Sequence, residues 1–404
     1  MGAAVDMDSR KGAVGKSDTL CIASTPFQLF SLLSIIQEDL STCGDSWDLI
    51  IYDQFPNAGL YAERIMQEGV FRKVYIGNPG YPNYRHVGLC HLASLVVSPV
   101  KKDKRFENTF PDLVKNKYRR LYCAFPEKIA LEAKRICVPN GATVFYDDGT
   151  ASRNDTVFKT FSCFDEKALS VNSDKVALEK IKYHAKRLLI KAIPKNARLN
   201  IEELRIFSPV KTDHIQKAGI KVNPIRIPMG FELHEKVMLL KHDKCTTLRK
   251  DDFIYLTLPA GLKGSTLANE QRILRVMDKA LGDRLKIRVH PRRLKSDFDE
   301  FGTAIIGDEF WELLIAKGEI TEESTLIAVA STAQMTPKMI FGVEPRLILL
   351  HELFPVFEGT FTGCSQIERD IKAMYSKPEK VMVPKEITDI ETLISGELHS
   401  ESFR

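Results

Sequence analysis

Thr143-Val144-Phe145-Tyr146-Asp147-Asp148-Gly149-Thr150 is the stretch on which the reading of this chain turns. Its run of β-branched and aromatic residues predicts a buried strand, and the two carboxylates and glycine that end it mark a strand breaking into a loop. In an open parallel sheet that loop would lie in the crevice beyond the carboxyl ends of the strands, where ligands bind. A carboxylate placed there can take a proton from a substrate. Asp-Gly is also ordinary turn chemistry, so the same residues would fit a hairpin. The flanking sequence has to decide between the two.

Upstream, strand and helix signals alternate. Thr19–Ala23 reads as a first strand, and Ser24-Thr25-Pro26-Phe27-Gln28 opens a helix whose apolar stripe runs through Leu29, Leu32, Leu33 and Ile36 to Leu40. Strands are predicted at Trp47–Tyr52, Val74–Gly77 and Leu121–Phe125, with helices at Gly59–Gln67 and Glu127–Cys137. Such alternation implies a parallel, doubly wound sheet, which places Asp147 and Asp148 at a strand end rather than in a hairpin. Leu204–Phe207 reads as the last strand of this half, before a linker over 209–250.

Downstream the rhythm restarts. Phe253–Leu258 is a strand leading into a loop with Gly261, Gly264 and Ser265, followed by a helix over Asn269–Leu281. Leu285–Val289 is a strand ending in His290-Pro291-Arg292, and Leu326–Ala330 is a strand ending in Ser331-Thr332 before a helix from Ala333 to Ile340. Three strands in succession thus deliver polar groups at their carboxyl ends. The division expected is a disordered segment over 1–18, a first Rossmann-like domain over 19–208, the linker, and a second domain over 251–404.

Bulk properties agree with a two-domain α/β chain. At 404 residues the chain exceeds the size at which a single hydrophobic core stops growing. A formal charge of +5, without a nucleic-acid-binding motif, argues against a dedicated nucleic-acid binder. The cysteines form no Cys-x-x-Cys pair, which argues against zinc and for reduced, buried thiols in a cytoplasmic protein. No run reaches the roughly 18 apolar residues of a membrane span. From Lys180 through Arg198 there are seven Lys or Arg residues and no acid. That helix fits either a membrane surface bearing anionic lipid or an ordinary packed helix with a basic outer face, and the second needs nothing beyond the pattern. Asp297-Phe298-Asp299 matches a metal-binding Asp-x-Asp pattern but follows Lys295-Ser296 instead of an apolar strand, so it reads as a solvated loop.

Asp147-Asp148-Gly149, His290-Pro291-Arg292 and Ser331-Thr332, in that order and with Ser24-Thr25-Pro26-Phe27-Gln28 at the first strand end, resemble bacterial sialyltransferases. The similarity is to the lipooligosaccharide and capsule enzymes of glycosyltransferase family 52, and to the multifunctional and polysialyl enzymes that share the three motifs. It implies a GT-B-like fold of two Rossmann-like domains facing across a cleft, the first holding the acceptor and the second CMP-sialic acid. By that resemblance Asp148 is the general base and Asp147 its supporting neighbour and fallback. His290 is the acid at the CMP phosphate, and Ser331 and Thr332 bond that phosphate. Pro291, Arg292, Gly261, Gly264 and Ser265 complete the donor site, and Thr25, Pro26 and Gln28 contact the acceptor. The activity implied is inverting and metal-independent, with no cofactor and no nucleic-acid partner. The acceptor would be a lipooligosaccharide, capsule or oligosaccharide ending in galactose or sialic acid. Action at a membrane would be from its surface, at the inner face of the cytoplasmic membrane, as one reading of the basic helix allows, and a homodimer is among the partners the sequence leaves open. Two rivals remain open: a GT-B enzyme using another nucleotide sugar such as a UDP-hexose, and a non-catalytic sugar- or nucleotide-binding protein.

Overall fold

Every strand pairing among the described residues is parallel, and the strands form two separate sheets. The structure is a computed structural model that describes residues 18–40, 46–81, 93, 96–97, 103–124, 127–148, 185, 188–189, 192–194, 199, 201–208, 220–227, 230–239, 248–258, 264–290, 293–301, 304–306, 309–329, 331–354 and 364–401. The chain divides into two units, Met1–Val237 and Met238–Arg404.

The first unit carries strands β1 (Thr19–Ala23), β2 (Trp47–Tyr52), β3 (Lys73–Gly77), β4 (Tyr118–Cys123), β5 (Cys137–Tyr146), β6 (Ile201–Ile206) and β7 (Lys221–Pro224). They lie in the order β3-β2-β1-β4-β5-β6-β7, which reverses direction between β1 and β4. All residues of β1 and β2 are buried, as expected of strands covered on both faces. Even Asp48, inside β2, is buried. Arg72 grips its two oxygens at 2.9 and 2.5 Å and the Tyr118 hydroxyl donates to it at 2.8 Å, so the charge is met on every side. Helices α1 (Pro26–Leu40), α2 (Ala58–Glu68), α3 (Lys104–Thr109), α4 (Lys128–Lys134) and α5 (Glu232–Met238) accompany the strands. Cys21, Cys123 and Cys137 are buried free thiols, and burial pushes all three up from the ordinary thiol range.

The structure adds detail at two boundaries and in the basic stretch. The expected linker over 209–250 contains β7, which pairs with β6 in the register Leu204↔Val222, and α5. Lys-Val-Asn-Pro is too short and polar to announce a strand; Ile220 and Ile225, both buried, are what seat it. β5 begins at Cys137, six residues before the apolar run, with a register shift against β4 between Tyr118 and Arg120. Of the basic stretch 180–198, Leu189 and Ile193 pack into the core while Leu188 is exposed, and its Lys and Arg residues lie outside the described residues.

His234 ties α5 to α1. The His234 ring is fully buried, with Nε2 at 3.1 Å from Ser34 Oγ and 3.2 Å from the Phe30 carbonyl, and it packs on Phe30 at a centroid distance of 4.6 Å. Burial pulls its pKa down to about 4, from an unfolded value near 6.5. A depressed folded value means that the unfolded chain binds the extra proton, so the stability is present above about pH 6.5 and is lost as pH falls toward 4. Between those limits the loss attributable to His234 is on the order of 3 kcal/mol. Denaturant titrations across that range should show the native protein losing stability faster than His234→Gln. Parallel losses in the two proteins would rule this source out.

The second unit repeats the plan. Strands β8 (Phe253–Leu256), β9 (Leu285–Arg288), β10 (Ala304–Ile305), β11 (Thr325–Ala328), β12 (Arg346–Leu349) and β13 (Val381–Met382) lie in the order β10-β9-β8-β11-β12-β13, reversing between β8 and β11. Helices α6 (Gly264–Leu281), α7 (Trp311–Ala316), α8 (Thr332–Thr336), α9 (Cys364–Met374) and α10 (Ile387–Glu401) belong to it. Ile390 and Ile394 of α10 close the core against Ile273, Leu274 and Met277 of α6. Each unit is therefore a Rossmann-like α/β domain.

Candidate functional site

β5 pairs in parallel with β4 on one side and β6 on the other, so Asp147 and Asp148 end a central parallel strand and do not turn a hairpin. The Tyr146 hydroxyl donates to the Ile22 carbonyl, tying the end of β5 to β1 across the intervening β4. The next two residues then part company. Asp147 is fully buried, and its Oδ2 accepts the Phe207 amide at 3.1 Å just beyond β6. Asp148 is half-buried, and its Oδ1 accepts from Gln28 Nε2 at 2.8 Å. Asp147, expected as the fallback base, is the more buried of the two acids, and its carboxylate holds the chain just after β6.

Gln28 sits in the first turn of α1, which follows β1. Its Oε1 accepts the Ser24 amide at 2.6 Å, and its own backbone amide donates to Thr25 Oγ1 at 3.2 Å. Ser24 Oγ in turn donates to Glu127 Oε2 at 3.0 Å, at the head of α4 beyond β4. Polar groups from the ends of β1, β4 and β5 thus meet where the strand order reverses, the place where open α/β sheets bind ligands. Glu127 was missed in the sequence because a single acid at a helix start reads as ordinary capping. The residues expected to contact the acceptor lie in the same cluster. The Gln28 side chain is 2% exposed and engaged with Ser24 and Asp148, Thr25 caps α1, and Pro26 supplies its first residue.

In the second unit, His290 follows β9 by two residues and is half-buried. Its backbone amide donates to Thr257 Oγ1 at 2.8 Å, linking it to the end of the central strand β8. The same loop is fastened from below by Glu270 of α6. Glu270 Oε1 accepts the Tyr255 hydroxyl and the Leu258 amide, both at 3.0 Å, while Oε2 pairs with Arg293. Arg293 donates its backbone amide to the His290 carbonyl at 2.8 Å and lies over the Phe298 ring at 4.4 Å. Its Nε also meets Asp297 at 3.3 Å, so the Asp-x-Asp motif has one acid in an ion pair and a buried phenylalanine between the two.

Ser331 caps α8, its Oγ accepting the Ala333 amide at 3.2 Å. A hydroxyl used as acceptor in this way keeps its proton to donate. Gln334 is buried and donates to the carbonyls of Leu326 and Ile348, each at 3.2 Å, clamping β11 to β12 behind the cap. His290, Thr257 and Ser331 therefore stand at the carboxyl ends of the adjacent strands β9, β8 and β11. Glu312 of α7 is buried, which pushes its pKa up to about 7 against the opposing pull of Arg288 at the end of β9. Gly261, Pro291 and Arg292 lie outside the described residues, and Gly264 and Ser265 are the first two residues of α6.

Two Rossmann-like units in series, each with its polar groups at the carboxyl edge of a parallel sheet, define the class as a tandem α/β protein. No family model and no curated protein matches the chain. Among solved structures it is similar to the glycotransferase of kitacinnamycin, with 8% identity over 96% of each chain and a TM-score of 0.42. A UDP-N-acetylglucosamine 2-epimerase matches at 11% identity over 96% of this chain and 97% of that one, with a TM-score of 0.42. An S. aureus MnaA–UDP co-structure matches at 10% identity over 90% and 89%, with a TM-score of 0.47. Likeness at this level leaves activity and substrate to be argued from the residues.

Proposed function

We propose that the protein is an inverting, metal-independent glycosyltransferase that moves sialic acid from CMP-sialic acid to a hydroxyl of a glycan or glycolipid acceptor. The observation that carries this reading is Asp148: a half-buried carboxylate at the strand-order reversal of the first sheet, held in one direction by Gln28 at 2.8 Å. In the reaction, Asp148 takes the acceptor O–H proton as that oxygen attacks the anomeric carbon. The bond from that carbon to the CMP phosphate oxygen breaks, and CMP leaves. His290 supplies a proton or hydrogen bond to the departing phosphate, and the Ser331 and Thr332 hydroxyls donate to its oxygens. A monophosphate leaving group carries a charge that such donors can meet without a divalent ion.

No helix among the described residues is long and apolar enough to cross a membrane.

The test is incubation with CMP-sialic acid and a panel of galactose-terminated and sialylated acceptors in EDTA, read by mass, beside a parallel series with UDP-hexoses. Acceptors are expected to gain sialyl residues in EDTA. Turnover of a UDP-hexose alone would replace the donor, and activity restored only by manganese would replace the mechanism. Absence of transfer from any donor, with binding retained, would make the protein a binding module.

A further inference from the structure

Gln28 has an orientation that the surrounding donors leave no choice about. The buried Ser24 amide is a donor, so at 2.6 Å it must face the carbonyl oxygen of Gln28, and the amide nitrogen is then the atom turned to Asp148 at 2.8 Å. Flipping the side chain would set donor against donor at Ser24 and carbonyl against carboxylate at Asp148. The Gln28 backbone is fixed in turn by Thr25 Oγ1, and Ser24 by the buried carboxylate of Glu127. The chain Glu127–Ser24–Gln28–Asp148 thus connects the ends of three strands to a single oxygen of the candidate base.

We propose that Gln28 is a positioning residue that aims the Asp148 carboxylate and sets its proton affinity, an inference that rests on Asp148 acting as the base. A hydrogen bond donated to the charged form favours ionisation, so Gln28 keeps Asp148 ready to accept a proton. Glutamate at position 28 would still accept from Ser24, which preserves the fold locally. Its second oxygen would then stand against Asp148, and two carboxylates at that separation share a proton, raising the pKa of the pair. Methionine at the same position would remove the donor without adding charge.

The experiment is a 13C carboxylate titration by NMR of the native protein, Gln28→Glu and Gln28→Met. The Asp148 signal is identified by its loss in Asp148→Asn. Asp148 is expected to titrate about one pH unit or more higher in Gln28→Glu, and higher by a smaller margin in Gln28→Met. Turnover with CMP-sialic acid should show the acidic limb of kcat/KM moving by the same amount, with kcat down about tenfold and donor KM unchanged. An Asp148 signal that titrates at the same pH in all three proteins would overturn the inference. Because the titration needs no substrate, its outcome is separate from that of the proposed reaction. A shifted titration beside full turnover in Asp148→Asn would instead remove Asp148 as the base and leave the coupling intact.

Discussion

Asp148→Asn is expected to lower turnover by roughly two to four powers of ten, the range of a general-base contribution, while leaving CMP-sialic acid binding nearly unchanged. The substitution keeps shape and still presents a carbonyl oxygen to Gln28 Nε2, so the bond at 2.8 Å can persist and the site should not collapse. What it removes is the only property the mechanism asks of residue 148, an oxygen that can take a proton. Asp147→Asn supplies the contrast. Its oxygen accepts a backbone amide in a fully buried position, so that change should register in thermal stability more than in rate. Steady-state kinetics on both variants, with melting curves, separate the two acids. Full turnover in Asp148→Asn would eliminate the proposed base.

The largest stability effect is expected from Glu270→Gln, a loss of about 3–5 kcal/mol read by chemical denaturation. Glu270 is 1% exposed and answers three donors from three parts of the second unit: the Tyr255 hydroxyl on β8, the Leu258 amide just past it, and the Arg293 guanidinium beside the His290 loop. Glutamine can keep the first two on its carbonyl oxygen, but its amide then points N–H groups at a buried cation. Breaking the buried pair leaves Arg293 to the exposed Asp297 carboxylate at its Nε, which compensates a buried cation less well than Glu270 does. Adding Arg293→Met to Glu270→Gln should therefore recover part of the loss. A double variant less stable than Glu270→Gln would show that Arg293 acts through its contact with Phe298 instead.

Much of the fold was legible because parallel strands covered on both faces write themselves as continuous apolar runs. Leu-Cys-Ile-Ala of β1 and Leu-Ile-Ala of β11 are of that kind, and each is followed by a helix-start signal. What escaped were elements whose apolar content is thin. β7 is four residues with a terminal proline, β13 is two residues, and α9 and α10 follow the last strong strand without a motif to announce them. The candidate site was legible as a set of strand ends. Asp148, His290 and Ser331 each stand where an apolar run stops, and the sheets place each at a carboxyl edge. The division of labour between Asp147 and Asp148 was not legible, because two identical neighbours differ only in what surrounds them. Nor was Glu127, whose tie to Ser24 spans 103 positions, a separation no local pattern encodes.

The reversed strand order has a consequence for how the chain comes into being. In each unit an interior strand is made first and acquires one neighbour promptly, β2 beside β1 and β9 beside β8, while its other flank waits for β4 or β11. As the polypeptide leaves the ribosome, β1, β2 and β3 can assemble into a half-sheet whose β1 edge is still open. Ser24 and Gln28 stand at the end of that open strand, and Glu127 and Asp148 arrive only with the strands that close it. Pairing of β4 seals that edge and brings Glu127 to Ser24, and the polar cluster is complete only when β5 adds to β4 and carries Asp148 to Gln28, so the cluster is assembled in two steps during synthesis.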